Sequence, residues 1–315
     1  MALKKVLVTG GAGFIGSHLC ESLLSRGVEV VCLDNLVTGS QRNIAHFTGN
    51  DKFSFVNTTT CQKFDLEDGF DTVFHLASPA SPVDFHRIPV EILLANTAGT
   101  YNALAFAKER GARFVLAGSS EAYGDPLHHP QKEEHWGNVN PNGVRSCYDE
   151  GKRVSEAMTM AFHRKYGVDT RIARIFNTYG PRMRKDDGRV IPNLMTQAVK
   201  GEPLTVHGDG KQTRSFCFVS DLVDGLVRLG EADHVRGGLF NLGNPHEMTI
   251  LEAANLVKRL SGTRSEIVFT GRPEDDPARR QPDISKARNM LGWEPHVHVE
   301  DGFRQTIDWF RGVVK

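Results

Sequence analysis

The sequence predicts an α/β fold: a doubly wound parallel sheet with a smaller α/β domain interleaved with it. Two observations carry that expectation. A short apolar run, Val6-Leu7-Val8, enters the glycine-rich stretch Gly10-Gly11-Ala12-Gly13-Phe14-Ile15-Gly16, and Ser17 to Arg26 then has helical periodicity. Strand-like and helix-like segments go on alternating through the amino-terminal half, the pattern of parallel strands joined by crossover helices.

The elements follow in order. Val6-Leu7-Val8 is short and wholly apolar, as a strand covered on both faces must be. Glycines at 10, 13 and 16 permit a tight turn, close approach of backbone to a pyrophosphate, and close packing of helix on strand. A second strand, Val28 to Leu33, ends at Asp34, eighteen residues beyond Gly16. There a carboxylate can accept from both hydroxyls of an adenosine ribose and would repel a 2′-phosphate, so this Rossmann unit is expected to bind NAD and not NADP. Thr72 to Ala77 reads as a buried strand, Pro89 to Arg110 as one long amphipathic helix, and Arg113 to Ala117 as the next strand. Ligands of doubly wound sheets gather at the carboxyl ends of strands, so Ser78-Pro79-Ala80-Ser81-Pro82 and Ser119-Ser120-Glu121 should face the crevice of the glycine loop. His75 is expected to be a packed strand-end histidine.

Composition narrows the function classes. The 315 residues hold 38 Lys plus Arg against 38 Asp plus Glu, so no bulk charge points to nucleic acid or to a membrane surface. Cys20, Cys32, Cys61, Cys147 and Cys217 are scattered, without Cys-x-x-Cys spacing. Reduced thiols in a cytoplasmic protein, and no metal site, are the expectation. No signal peptide or run long enough to span a bilayer is expected.

One stretch carries chemistry. In Ser146-Cys147-Tyr148-Asp149-Glu150-Gly151-Lys152, a helix would put Tyr148 and Lys152 on one face, a turn apart. A nearby ammonium and the positive ring of an oxidised nicotinamide would favour the phenolate, which could then take a proton from an alcohol.

These pieces together resemble the extended short-chain dehydrogenase/reductase family of sugar-nucleotide epimerases, dehydratases and decarboxylases. Within it they are most similar to the branch that decarboxylates UDP-glucuronate. The segments concerned are His75 to Pro82, Tyr123 to Pro126, Trp136 to Pro141, Arg145 to Arg153 and Arg174 to Arg182, then Asp276-Pro277, Arg280 and Pro282-Asp283-Ile284. The resemblance implies NAD-dependent conversion of UDP-glucuronate to UDP-xylose and CO2, by transient oxidation at sugar carbon 4. The alternatives are 4-epimerisation of a UDP-uronate and, more remotely, a non-catalytic nucleotide-sugar sensor.

The family also implies roles. Tyr148 is the base, Lys152 its helper, Ser119 a hydroxyl on the same substrate oxygen, and Glu121 and Arg280 neighbours of carbon 5. Gly10, Gly13, Phe14, Ile15, Gly16, Asp34, Asn35, Leu76 and Ala77, with Tyr148 and Lys152, would hold NAD. Ser81, Ser120, Asn177, Arg189, Val206, Gln212, Arg214 and Arg280 would hold the UDP-sugar. Ser120 stands where 4,6-dehydratases carry an acid, which argues against dehydration. Relatives use an Asp for adenine where this chain has Thr58-Thr59-Thr60, leaving Thr59 or Asp65 to serve. Residues 1–175, with a returning segment near 212–235 that includes Phe218 to Val223, would form the NAD domain; 176–211 and 236–315 would mainly bind the nucleotide sugar. A homodimer is implied, through a four-helix bundle built from Pro89 to Arg110 and Cys147 to Tyr166, with Ala98, Ala103, Ala105 and Ala107 allowing close approach. Ordinary intramolecular packing explains those alanines nearly as well. In the carboxyl-terminal part, Thr249 and Glu252 form a capping box, and Ser285 to Arg288 and Val299 to Phe310 read as closing helices.

Overall fold

The computed structural model describes residues 2–271 and 279–314; Asp276-Pro277 lies outside them. A seven-stranded sheet forms the centre. Its strands are β1 (Lys5–Thr9), β2 (Glu29–Asp34), β3 (Phe53–Asn57), β4 (Thr72–His75), β5 (Arg113–Ser119), β6 (Thr170–Ile175) and an outer strand, Gly238–Leu242. In space the outer strand comes first, then β6, β5, β4, β1, β2 and β3, and every pairing is parallel. The chain order reverses between β1 and β4, which opens the crevice where doubly wound sheets take ligands.

The apolar run of β1 is buried on both faces because its side chains alternate between two cores. Val6 and Val8 join Leu19 and Leu23 of α1 (Phe14–Ser25) and Leu222 and Leu226 of α7 (Val219–Glu231). Leu7 faces the other way, toward Leu104 and Phe106 of α4 (Thr100–Glu109) and Phe162 of α5 (Ser146–Tyr166).

Two elements depart from the sequence reading. Strand β5 runs two residues past Ala117, because Gly118 and Ser119 stay in register with Arg174 and Ile175 of β6. That extension carries Ser119 to the lip of the crevice. The expected single helix from Pro89 is α3 (Pro89–Leu94), a π turn (Ala95–Gly99) and α4. In the wide turn the Asn96 backbone carbonyl accepts from Ser155 Oγ at 2.8 Å, and the Asn96 side-chain Nδ2 donates back to the Ile92 carbonyl at 2.9 Å. Those bonds satisfy polar groups that a π turn displaces from the helix ladder.

The remaining helices are α2 (Pro82–Arg87), α6 (Val190–Lys200), α8 (Ile250–Ser261), α9 (Ser285–Leu291) and α10 (Val299–Val313). The capping box of Thr249 and Glu252 opens α8. Helices α6, α8 and α10 bury Leu194, Val257 and Phe303 in the same core that α7 shares with the large sheet. The outer strand Gly238–Leu242, placed by the sequence reading with the smaller domain, hydrogen-bonds to β6 in that sheet.

Candidate active site

A cavity of about 510 Å³ opens at the carboxyl ends of β1, β4 and β5. Every residue expected to hold the dinucleotide lines it: Gly10, Gly13, Phe14, Ile15 and Gly16, then Asp34, Asn35, Leu76 and Ala77, with Tyr148 and Lys152. Gly10 adopts φ 71°, a left-handed conformation that disfavours any side chain. A Cβ on Gly16 would run into the Gly10 carbonyl oxygen, so the loop folds back on itself only because that atom is missing. Asp34 is held by two backbone amides, Ala12 N–H at 3.0 Å and Leu36 N–H at 2.8 Å. Burial raises its pKa, and those two donors oppose the rise.

At the adenine end, Thr58, Thr59 and Thr60 line the cavity. Asp65 does not: it is exposed and pairs with Arg110 at 2.5 Å. His75 sits beneath the floor as expected, bonded to Thr9 Oγ1 at 2.7 Å and Thr100 Oγ1 at 3.2 Å. Burial, with the Lys152 charge adding to it, lowers its pKa to about 3 and keeps the ring neutral.

At the other end Ser119, Ser120, Glu121, Tyr148, Lys152, Ser81, Asn177 and Arg189 converge. Ser119 closes β5 and caps the short turn Ser120–Tyr123, accepting from Glu121 N–H at 3.2 Å. Its hydroxyl also acts on the Tyr148 phenol, favouring the charged form. The sequence reading has the tyrosine made acidic by Lys152, and the protein's own groups do the opposite. Burial pushes the phenol up to about 12; the Ser119 hydroxyl lowers it, Glu121 raises it, and Arg189 lowers it less. Lys152 donates to the Ala117 carbonyl at 2.9 Å, and burial brings its pKa down to about 8 against the pull of Glu156.

Burial alone would raise the Glu121 carboxyl. Two guanidiniums overrule it: Arg280 grips both oxygens, one at 2.8 Å, and Arg145 donates to Oε2 at 2.7 Å. The pKa falls to about 2, so Glu121 is a carboxylate. Arg280 therefore stands behind Glu121 and not on the cavity wall. Ser81 donates to the Asp187 carbonyl, and Arg189 pairs with the Asp187 carboxylate at 2.7 Å.

Besides Arg280, three expected substrate residues do not line this cavity. Val206 is fully buried in the core, Gln212 donates to the His207 carbonyl at 2.8 Å, and Arg214 donates to the Thr213 carbonyl at 2.8 Å. Two residues without an assigned role belong to the site. Arg145 holds Glu121 and lies 5.5 Å over the Phe85 ring, and that ring stacks on Tyr148 with centroids 5.4 Å apart. Helical spacing was the available signal for Arg145, which precedes Tyr148 by three residues and Asp149 by four.

Residues 6–243 match the NAD dependent epimerase/dehydratase family. UDP-glucuronic acid decarboxylase 4 of Arabidopsis thaliana is 54% identical over 307 residues, 98% of this chain and 68% of that protein. UDP-glucuronic acid decarboxylase 1 of Xenopus tropicalis is 51% identical over 308 residues, 98% of this chain and 72% of the other. Among solved structures, the UDP-glucuronic acid 4-epimerase of Bacillus cereus, in complex with UDP-glucuronic acid and NAD, is similar with a TM-score of 0.89. It is 28% identical, and the match covers 98% of this chain and 99% of that one.

Proposed function

This chain belongs to the NAD dependent epimerase/dehydratase family, and from that premise we propose that its cavity decarboxylates UDP-glucuronate to UDP-xylose. The observation that carries the reading is the convergence of Ser119, Tyr148 and Lys152 with a clamped Glu121 carboxylate in one cavity. It is supported by relatives of that name at 51% and 54% identity over nearly the whole chain.

The residues present fit NAD. A loop stripped of side chains at Gly10, Gly13 and Gly16 can approach a pyrophosphate, and Asp34 can accept from the adenosine ribose. Thr59 takes the adenine role, since Asp65 is engaged by Arg110. When bound, the dinucleotide supplies a hydride acceptor, a later hydride donor, and a positive ring beside the phenol.

Tyr148 takes the proton of the sugar 4-hydroxyl. Burial holds it as a phenol near 12, so it needs that added positive charge to act as a base. With carbon 4 a ketone, the carbon 5 carboxylate belongs to a β-keto acid, and Tyr148 and Ser119 donate to the oxygen where the enolate charge develops. Glu121 cannot be the acid that protonates carbon 5 directly, because at about 2 it carries no proton near neutrality. It orients the donor instead, while Ser120 offers no acid for a dehydration. Asn177 and Arg189 contact the sugar and diphosphate, with Ser81 and Ser120 beside them. Arg280, Val206, Gln212 and Arg214 are assigned to the same substrate by the family resemblance alone.

We place the reaction in the cytoplasm, where the five free thiols would persist. Among the described residues no helix is long and apolar enough to cross a membrane. The chain works as a homodimer whose bundle is formed by α3, α4 and α5. Val90, Tyr101 and Val154 are 61%, 54% and 39% exposed there. Ala103 and Ala107 do not contribute, since both are fully buried within the protomer.

The test is incubation with UDP-glucuronate. Release of CO2 with a pentose nucleotide as product is expected; a product of unchanged mass would favour the 4-epimerase reading instead.

A further inference from the structure

Decarboxylation consumes a proton. The bond between carbon 5 and the carboxylate breaks, its electron pair enters the enolate, CO2 departs, and a new C–H bond forms at carbon 5. One proton must therefore enter the site in every turnover, and neither the ionised Glu121 nor a guanidinium is a ready donor.

Asp149 is a buried carboxyl that the reaction as described does not use. It follows Tyr148 on the first turn of α5 and is 6% exposed. Its Oδ2 lies 3.5 Å from Arg145 Nε, and Arg145 is the same guanidinium that donates to Glu121. Its Oδ1 is buried with no hydrogen-bond partner among the described residues. A carboxylate oxygen so placed is costly, whereas a carboxylic acid tolerates the position better.

The ionisable groups acting on it are Glu121 from the turn after β5, Arg145 from the loop entering α5, and Arg280 from the chain beyond residue 279. Tyr148 and Cys147 on its own helix also feel its charge, and α2 brings the Phe85 ring to this corner, against Tyr148 and Arg145. Burial and the Glu121 charge raise the Asp149 pKa, the two arginines oppose them, and the balance lies at about 7.

Resting on the decarboxylase reading, we propose that Asp149 is a positioning residue that stores the proton consumed in each turnover and passes it to the Glu121 side of the site. The Asp149 acid gives its proton to water oriented by the Glu121 carboxylate as that water delivers one to carbon 5, so the Asp149 O–H bond breaks as the new C–H bond forms. Solvent then reloads Asp149, so one proton is taken up for each CO2 released. Arg145, shared by both carboxyls, keeps them together whichever one holds the charge.

The experiment measures CO2 release from UDP-glucuronate against pH, in the full chain with NAD, for the parent, Asp149→Asn and Asp149→Glu. In the parent, kcat declines as pH rises through about 7. In Asp149→Asn, kcat should fall by about tenfold or more at neutral pH and lose that decline, while UDP-glucuronate affinity by calorimetry stays within about twofold. Asp149→Glu should bring back a pH-dependent decline. An Asp149→Asn variant with parental kcat and pH profile overturns the proposal, and so does one that loses substrate affinity together with turnover. A parent that releases no CO2 overturns the decarboxylase reading first, and is recognised before any variant is made.

Discussion

Tyr148→Phe removes one oxygen from a side chain whose ring stays stacked on Phe85, so it isolates the proton-transfer role from packing. We expect kcat to fall by about 10²–10⁴-fold, with UDP-glucuronate affinity nearly unchanged by calorimetry; unchanged turnover would remove Tyr148 from the chemistry. Single residues were legible in the sequence wherever spacing alone constrains them. Gly10, Gly16 and Asp34 are tied to one turn and the end of one strand, and Tyr148 and Lys152 to one helix face. Helical spacing ties Arg145 to Tyr148 and Asp149 but not to Glu121, and Phe85 gives no such signal, because the contacts with Glu121 and Tyr148 form only once β5, α2 and α5 are packed. The Tyr148 pKa departs from the sequence expectation for a related reason. A sequence displays the ammonium four residues away but not the burial that outweighs it.

At the scale of elements, the π turn between α3 and α4 shows where pattern reading stops. Residues 89–110 carry a helical apolar period, and nothing in that period reveals that the ladder widens at Ala95–Gly99. The widening depends on Ser155, which sits on another helix and donates to the Asn96 carbonyl. Ser155→Ala should therefore leave a buried carbonyl short of its donor and cost about 1–3 kcal/mol, measured by urea unfolding; a variant as stable as the parent would mean the turn does not need this bond. The capping box of α8, by contrast, was readable because Thr249 and Glu252 are three residues apart and need no partner from elsewhere. Strand β5 falls between these cases: its apolar run was visible, but its last two residues owe their conformation to register with β6.

Across the whole molecule, one core joins the large sheet to α6, α8 and α10, so the glycine loop and the Arg189 segment are tied together. His75 lies within this body, and its ring is held neutral at about 3 against about 6.5 when unfolded. The unfolded chain thus binds the extra proton first on acidification. The stabilisation from this group is complete above pH 6.5 and is lost as pH falls toward 3, by up to about 1.4 kcal/mol per pH unit. Unfolding midpoints of the parent and His75→Gln should converge over that range; parallel curves would contradict the assignment. The apolar face on α3, α4 and α5 predicts a dimer by light scattering that a Val90→Glu, Tyr101→Glu variant splits into monomers, and a monomeric parent would contradict it. The most direct test of the central claim follows both hydrogens in one product. UDP-glucuronate deuterated at carbon 4 is converted in ordinary water and, separately, unlabelled substrate in heavy water, and each UDP-pentose is read by NMR. The account predicts that the carbon 4 deuterium is retained while carbon 5 takes one hydrogen from solvent. A carbon 4 label lost to water, or a carbon 5 that gains nothing from it, would contradict the account.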